Sequence, residues 1–134
     1  MSVFDTPGRL ASWAGVCPGQ NESAGRVKST TTRPGDKYLK AALGTAALSV
    51  SRTKGTYLAA RYRRIAARRG PLKAVVAIEH TILVAVWHML RHGEAYTDPG
   101  AAFYNQTDPD RAKNKAIRQL RNLGYDVTIT PAAA

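Results

Sequence analysis

A chain of 134 residues has room for one domain and one modest core, and its 44% hydrophobic content is ordinary for a folded globular protein. Twenty Lys and Arg against nine Asp and Glu give a formal net charge of +11, which predicts a polyanionic partner, nucleic acid first. The single cysteine, Cys17, excludes an internal disulfide framework and a cysteine-based zinc site, and makes a reducing cytosol the simplest compartment.

The first residues, Met1-Ser2-Val3-Phe4-Asp5, lack the basic and apolar regions of a secretory signal. Thr6-Pro7 has the form of an N-cap followed by proline at the first helical position, predicting a short helix over 7–14 with Leu10, Trp13 and Ala14 on one face. From residue 16 to 35 the sequence is rich in Gly, Ser, Thr and Asn and cannot build a core, so it reads as a polar, serine-bearing loop. Asp36 caps a second predicted helix over 37–53, with Leu39, Ala42, Leu43, Ala46, Ala47 and Val50 as its apolar stripe. Thr56 caps a third, through Arg69, in which Leu58, Tyr62 and Ile65 form a thin apolar line.

Gly70-Pro71 ends that helix and starts the next, over 71–91, apolar nearly all the way round and therefore expected at the centre of the bundle. It carries Glu79, His80 and His88 in its interior, and a charge at a bilayer centre costs about 3 kcal/mol. A buried core helix is the expectation, and no membrane partner. A short aromatic segment over 101–105 follows, then Thr107-Asp108-Pro109 opens a last helix over 109–123 with Ala112, Ala116, Ile117, Leu120 and Leu123 inward. The alternation from Tyr125 to Thr130 reads as one short strand, and the run 132–134 is all alanine. The predicted fold class is mainly α: one domain, 1–134, of about five helices around the helix at 71–91, with the loop at 16–35 and one C-terminal strand.

From Lys37 to Ile78 there is no acidic residue, whereas Lys37, Lys40, Arg52, Lys54, Arg61, Arg63, Arg64, Arg68, Arg69 and Lys73 all fall there. Solvated helix faces usually mix signs, so this asymmetry predicts phosphate contact, with Arg33 beside it. Tyr57 could add base stacking, whereas Tyr62 sits at core spacing. His88 and His92 share a helical face but have no third ligand in sequence, so no metal site is expected, and His80 reads as a core histidine. Ser23 stands out for its surroundings. A serine attacks a phosphodiester only if its proton is removed and the charge developing on phosphorus is stabilised, and Arg26 and Lys28 are placed to supply the second need. On spacing alone, the same stretch reads as a solvated polar loop more readily than as an active site.

Residues 4–26, with Cys17-Pro18-Gly19-Gln20-Asn21-Glu22-Ser23-Ala24-Gly25-Arg26 at their end, resemble the opening of the C-terminal transposase domain of a bacterial insertion-sequence family. The resemblance continues through Tyr38-Leu39, Ser51-Arg52-Thr53-Lys54-Gly55-Thr56-Tyr57, Tyr62-Arg63-Arg64, Lys73 to His80, and Leu123-Gly124-Tyr125. Full-length members pair this domain with an N-terminal RuvC-like domain, and some act as bridge-RNA-guided recombinases. The resemblance implies that Ser23 attacks DNA to give a phosphoserine link, with magnesium brought by the acidic quartet of the RuvC-like domain. No such quartet and no lead-in before Phe4 are present in these 134 residues. The chain is therefore expected to be a truncated C-terminal part, without cofactor of its own and inactive alone. The implied partners are DNA, a guide RNA and further copies of the transposase, in the bacterial cytoplasm at the nucleoid. A second reading, a free-standing basic helical protein that binds nucleic acid without chemistry, rests on the cationic stretch alone.

Overall fold

The computed structural model describes residues 3–19 and 21–131; Met1 and Ser2, Gln20 of the serine loop and the terminal alanine run 132–134 lie outside them. The elements are α1 (Pro7–Trp13), β1 (Asn21–Ser23), β2 (Arg26–Ser29), α2 (Lys37–Arg52), α3 (Tyr57–Arg69), α4 (Pro71–His92), α5 (Phe103–Thr107) and α6 (Pro109–Asn122). The chain divides into two compact units, Met1–Ala101 and Ala102–Ala134.

The helix starts follow from local chemistry. The side chains of Thr6, Asp36, Thr56 and Asp108 each accept a hydrogen bond from the backbone N–H three residues on, filling one of the donors a helix N-terminus leaves open. Gly70, at φ 87°, separates α3 from α4 without a linker, and Gly93, at φ 73°, closes α4 in the left-handed conformation that a side chain would resist.

Within the first unit α4 packs against α1, α2 and α3, which makes it the central helix expected from its composition. Its buried residues are Ala74, Ile78, Glu79, Leu83 and Trp87. Leu83 and Trp87 join Leu10, Ala11, Ala14 and Val16 from the α1 region and Leu43 from α2 in one core. Trp87 Nε1 donates to the carbonyl of Phe4 at 2.9 Å, fastening the start of the chain to α4. By length and composition α4 could cross a membrane; here three helices pack against it and its own Glu79 carboxylate is buried among them.

The structure corrects six expectations. The buried face of α1 is Leu10, Ala11 and Ala14, whereas Trp13 is 52% exposed and stacks at a tilt on Phe4 at the surface. The stretch 16–35 is not an irregular loop: it contains the antiparallel hairpin β1–β2. Leu72, Met89 and Leu90 on α4 are exposed, because α1, α2 and α3 do not encircle it. The aromatic segment is a sixth helix, α5, and α6 buries none of its apolar residues, Leu120 included, with Leu123 just past its end exposed as well, since a unit of two short helices is too small to enclose a core. Finally, Tyr125 to Thr130 is irregular rather than a strand; no strand lies beside it among the described residues, and an unpaired strand leaves its N–H and C=O groups without a ladder.

Candidate functional site

Ser23 ends β1 at the tip of the hairpin. Ala24 and Gly25 form a two-residue connection with positive φ at both positions, 52° and 73°, the pattern of a type I′ turn, whose twist matches that of the strands it joins. Across this turn Ser23 pairs with Arg26, so the two share the same rung of the ladder, and both are exposed. Lys28, also exposed, stands at an irregularity in register between the Glu22–Val27 and Asn21–Ser29 pairs, where β2 carries one residue more than β1.

The base of the hairpin is tied down on both arms. Gly19 N–H donates to the Thr31 carbonyl at 3.1 Å, and Ser29 Oγ both donates to Thr31 Oγ1 at 2.9 Å and accepts from Thr31 N–H at 3.1 Å. Two glycines permit the chain to return to α1: a Cβ on Gly35 would collide with the Ala14 carbonyl, and one on Gly19 with the Thr31 carbonyl. Behind this base Arg33 lines a small pocket of about 170 Å³ with Ser12, Cys17 and Gly19. Burial raises the Cys17 thiol above its ordinary range, which keeps it protonated.

The cations of 37–73 separate into distinct groups. Arg61 and Arg69 from α3 and Lys73 from α4 meet around an open cleft of about 870 Å³, whose other wall is the extended arm Thr30 to Thr32 and whose floor includes Ile65 and Val76. His80 also lines it, with its pKa lowered by burial first and by Arg61 second, so it is neutral at pH 7. Arg61 Nη1 donates to Tyr57 Oη at 3.3 Å. Arg63 instead folds back onto the protein: Nε donates to the Ala59 carbonyl at 3.2 Å and Nη2 to the Thr53 carbonyl at 3.3 Å, joining α3 to the end of α2. Lys40 Nζ donates to Thr32 Oγ1 at 3.2 Å, and Lys37 lies 4.9 Å from the Tyr38 ring centroid. Arg52, Lys54, Arg64 and Arg68 are exposed. The ion pairs Arg9–Asp5 and Lys113–Asp110 both lie outside this stretch.

Sequence reading did not find the arm Thr30 to Thr32 as a cleft wall, nor the role of Asp98. The Asp98 carboxylate accepts from Tyr57 N–H, 41 residues away in sequence, at 2.9 and 3.3 Å, adding a second cap to α3 beside Thr56. His88 and His92 do stack, with ring centroids 5.7 Å apart. Among the described residues no three His, Cys, Asp or Glu side chains are grouped to hold a metal ion.

No curated protein and no solved structure matches the chain. A family model described as Transposase IS116/IS110/IS902 family matches residues 1–63, a span that includes α1, the whole hairpin with Ser23, α2 and the first half of α3. Over that span, a little under half of the chain, the sequence is similar to the IS116/IS110/IS902 transposase family.

Proposed function

We propose that the protein is a DNA-handling part of a transposase in which Ser23 is the nucleophile. The observation that carries this reading is the coincidence of Ser23, inside the matched span, with the exposed tip of a tied-down hairpin where Arg26 shares its rung. In the step proposed, Ser23 Oγ forms a bond to a backbone phosphorus and the phosphorus–oxygen bond to one deoxyribose breaks. The serine proton goes to a base and is returned to the departing oxygen. Arg26 and Lys28 offset charge on the non-bridging oxygens. DNA reaches the hairpin along the cations of the first unit, Arg33, Lys37, Arg52, Lys54, Arg64, Arg68 and the cleft group Arg61, Arg69 and Lys73, and the protein works in the cytoplasm.

The three histidines all lie on α4, none in the hairpin, so the base is proposed to come from an acidic companion domain of the RuvC-like kind, without which the chain is inactive. A guide RNA and assembly of several copies belong to the same proposal. Mixing the protein with a cognate RuvC-like partner, substrate DNA and magnesium should trap a covalent protein–DNA adduct that is lost in Ser23→Ala. An adduct that persists in Ser23→Ala, with binding unchanged, rules out Ser23 as nucleophile.

A further inference from the structure

We infer that the cleft between α3, α4 and the Thr30 to Thr32 arm takes an unpaired stretch of nucleic acid, with backbone phosphates on Arg61, Arg69 and Lys73 and bases against its apolar floor. This rests on the reading of the protein as nucleic-acid-binding and names which form of nucleic acid one part of it holds.

Size comes first. At about 870 Å³ the cleft falls in the range of sites that enclose small ligands, about 300–1,000 Å³. A duplex, whose major groove alone is about 12 Å wide, can lie across such a rim but cannot enter it. A single strand can, one nucleotide after another.

The lining supplies the second argument. Two of its cations, Arg69 and Lys73, stand at the end of α3 and the start of α4, where Gly70 lets them come from two helices with no linker between them, and Arg61 follows about two turns back along α3. The floor, by contrast, is aliphatic, and Leu72 on the rim is 82% exposed, an arrangement that leaves apolar surface in water unless a flat apolar face covers it. A ligand that is anionic along one edge and apolar and planar along the other satisfies both, and extruded bases are bound elsewhere between apolar side chains in this way. The threonine hydroxyls and the neutral His80 both donate and accept, so they suit base edges and sugar oxygens.

The experiment compares anisotropy titrations of the full chain with labelled oligothymidylate, oligouridylate and a blunt duplex, each of about twelve nucleotides per strand. Two variants change the cleft without changing charge: Leu72→Ser removes the exposed apolar rim, and Ala77→Trp fills the interior. Because Leu72 is exposed, Leu72→Ser keeps the test valid where Ala77→Trp fails to fold. Each folded variant should weaken single-strand binding by about tenfold and duplex binding by less than about twofold. Arg64→Gln, outside the cleft lining, should weaken both by the same factor. Tighter binding of oligothymidylate marks the occupant as a DNA strand, and tighter binding of oligouridylate marks it as RNA. If wild type binds duplex but no single strand, or Leu72→Ser shifts neither, the cleft assignment falls while the wider nucleic-acid reading stands. If wild type binds none of the three, both fall.

Discussion

Glu79 offers the sharpest test of the fold. It is 6% exposed on the buried face of α4, and its Oε2 has no hydrogen-bond partner among the described residues. Its other oxygen faces α2, where the absence of a side chain on Gly44 makes room: a Cβ there would stand 3.4 Å from Oε1. Burial raises the Glu79 pKa above its ordinary 4.5, and Lys40 pulls it back in part. A group whose folded pKa is raised adds stability in full below 4.5, and that stability is lost as pH rises through the folded pKa. At pH 7 the charged carboxylate is therefore a cost. An unsatisfied buried acceptor costs about 1–3 kcal/mol, and the attraction of Lys40, itself half-buried and bonded to Thr32, returns about 1 kcal/mol of that. Glu79→Gln should then stabilise the protein by about 1 kcal/mol at pH 7, raising Tm by about 4 °C. Urea titrations followed by tryptophan fluorescence report this unit directly, since Trp13 and Trp87 both lie in it. The gain should shrink toward a small constant offset as pH falls below 4.5. A variant less stable than wild type at pH 7, or a difference that does not change with pH, would refute the account.

Three other expectations follow from single contacts. Asp98→Ala removes the long-range cap on α3 and should cost about 1 kcal/mol, with faster hydrogen exchange at the Tyr57 amide; Asp98→Asn should restore most of it. His80 has a lowered pKa, so the unfolded chain takes up its proton first, and stability present above about pH 6.5 should be lost as pH falls below it; His80→Gln should flatten that part of the pH profile measured by denaturant titration. Ala24→Asn puts the residue type preferred in a type I′ turn at φ 52° and should raise Tm by a few degrees, about 0.5–1 kcal/mol, which differential scanning calorimetry can resolve. An unchanged Tm would show that the hairpin tip does not contribute to the cooperative unit.

What the sequence makes legible is whatever is decided within one helical turn. Thr6, Asp36, Thr56 and Asp108 each act on the N–H three residues on, so residue type and position suffice to find them. The hairpin is the opposite case. Its strands are Asn-Glu-Ser and Arg-Val-Lys-Ser, with no alternating apolar pattern, and its turn is Ala-Gly rather than Asn-Gly. It is held by Gly19 on Thr31 and by the close approach of Gly35 to Ala14, contacts between segments that no local pattern records. The Asp98 cap on Tyr57 and the burial of Glu79 opposite Gly44 are hidden for the same reason.

Charge shows how the two kinds of information combine. The acid-free stretch from Lys37 to Ile78 is visible in sequence, and so is its bias toward a polyanion. Sequence cannot say that its cations differ in what they do. Arg63 is bonded to two backbone carbonyls, one on its own helix and one at the end of α2, and Lys40 is bonded to the serine-loop arm near a buried acid. Arg69 and Lys73 line a cleft. Reversing Arg63 to Glu would remove both carbonyl contacts, so a loss of nucleic-acid binding in that variant would report a loosened α2–α3 junction. Reversing Arg68, which is exposed on the same helix, changes the surface field without that loss. A charge-reversal series is informative about phosphate contact only at positions of the second kind, and comparing Arg63→Glu with Arg68→Glu for both thermal stability and binding separates the two roles.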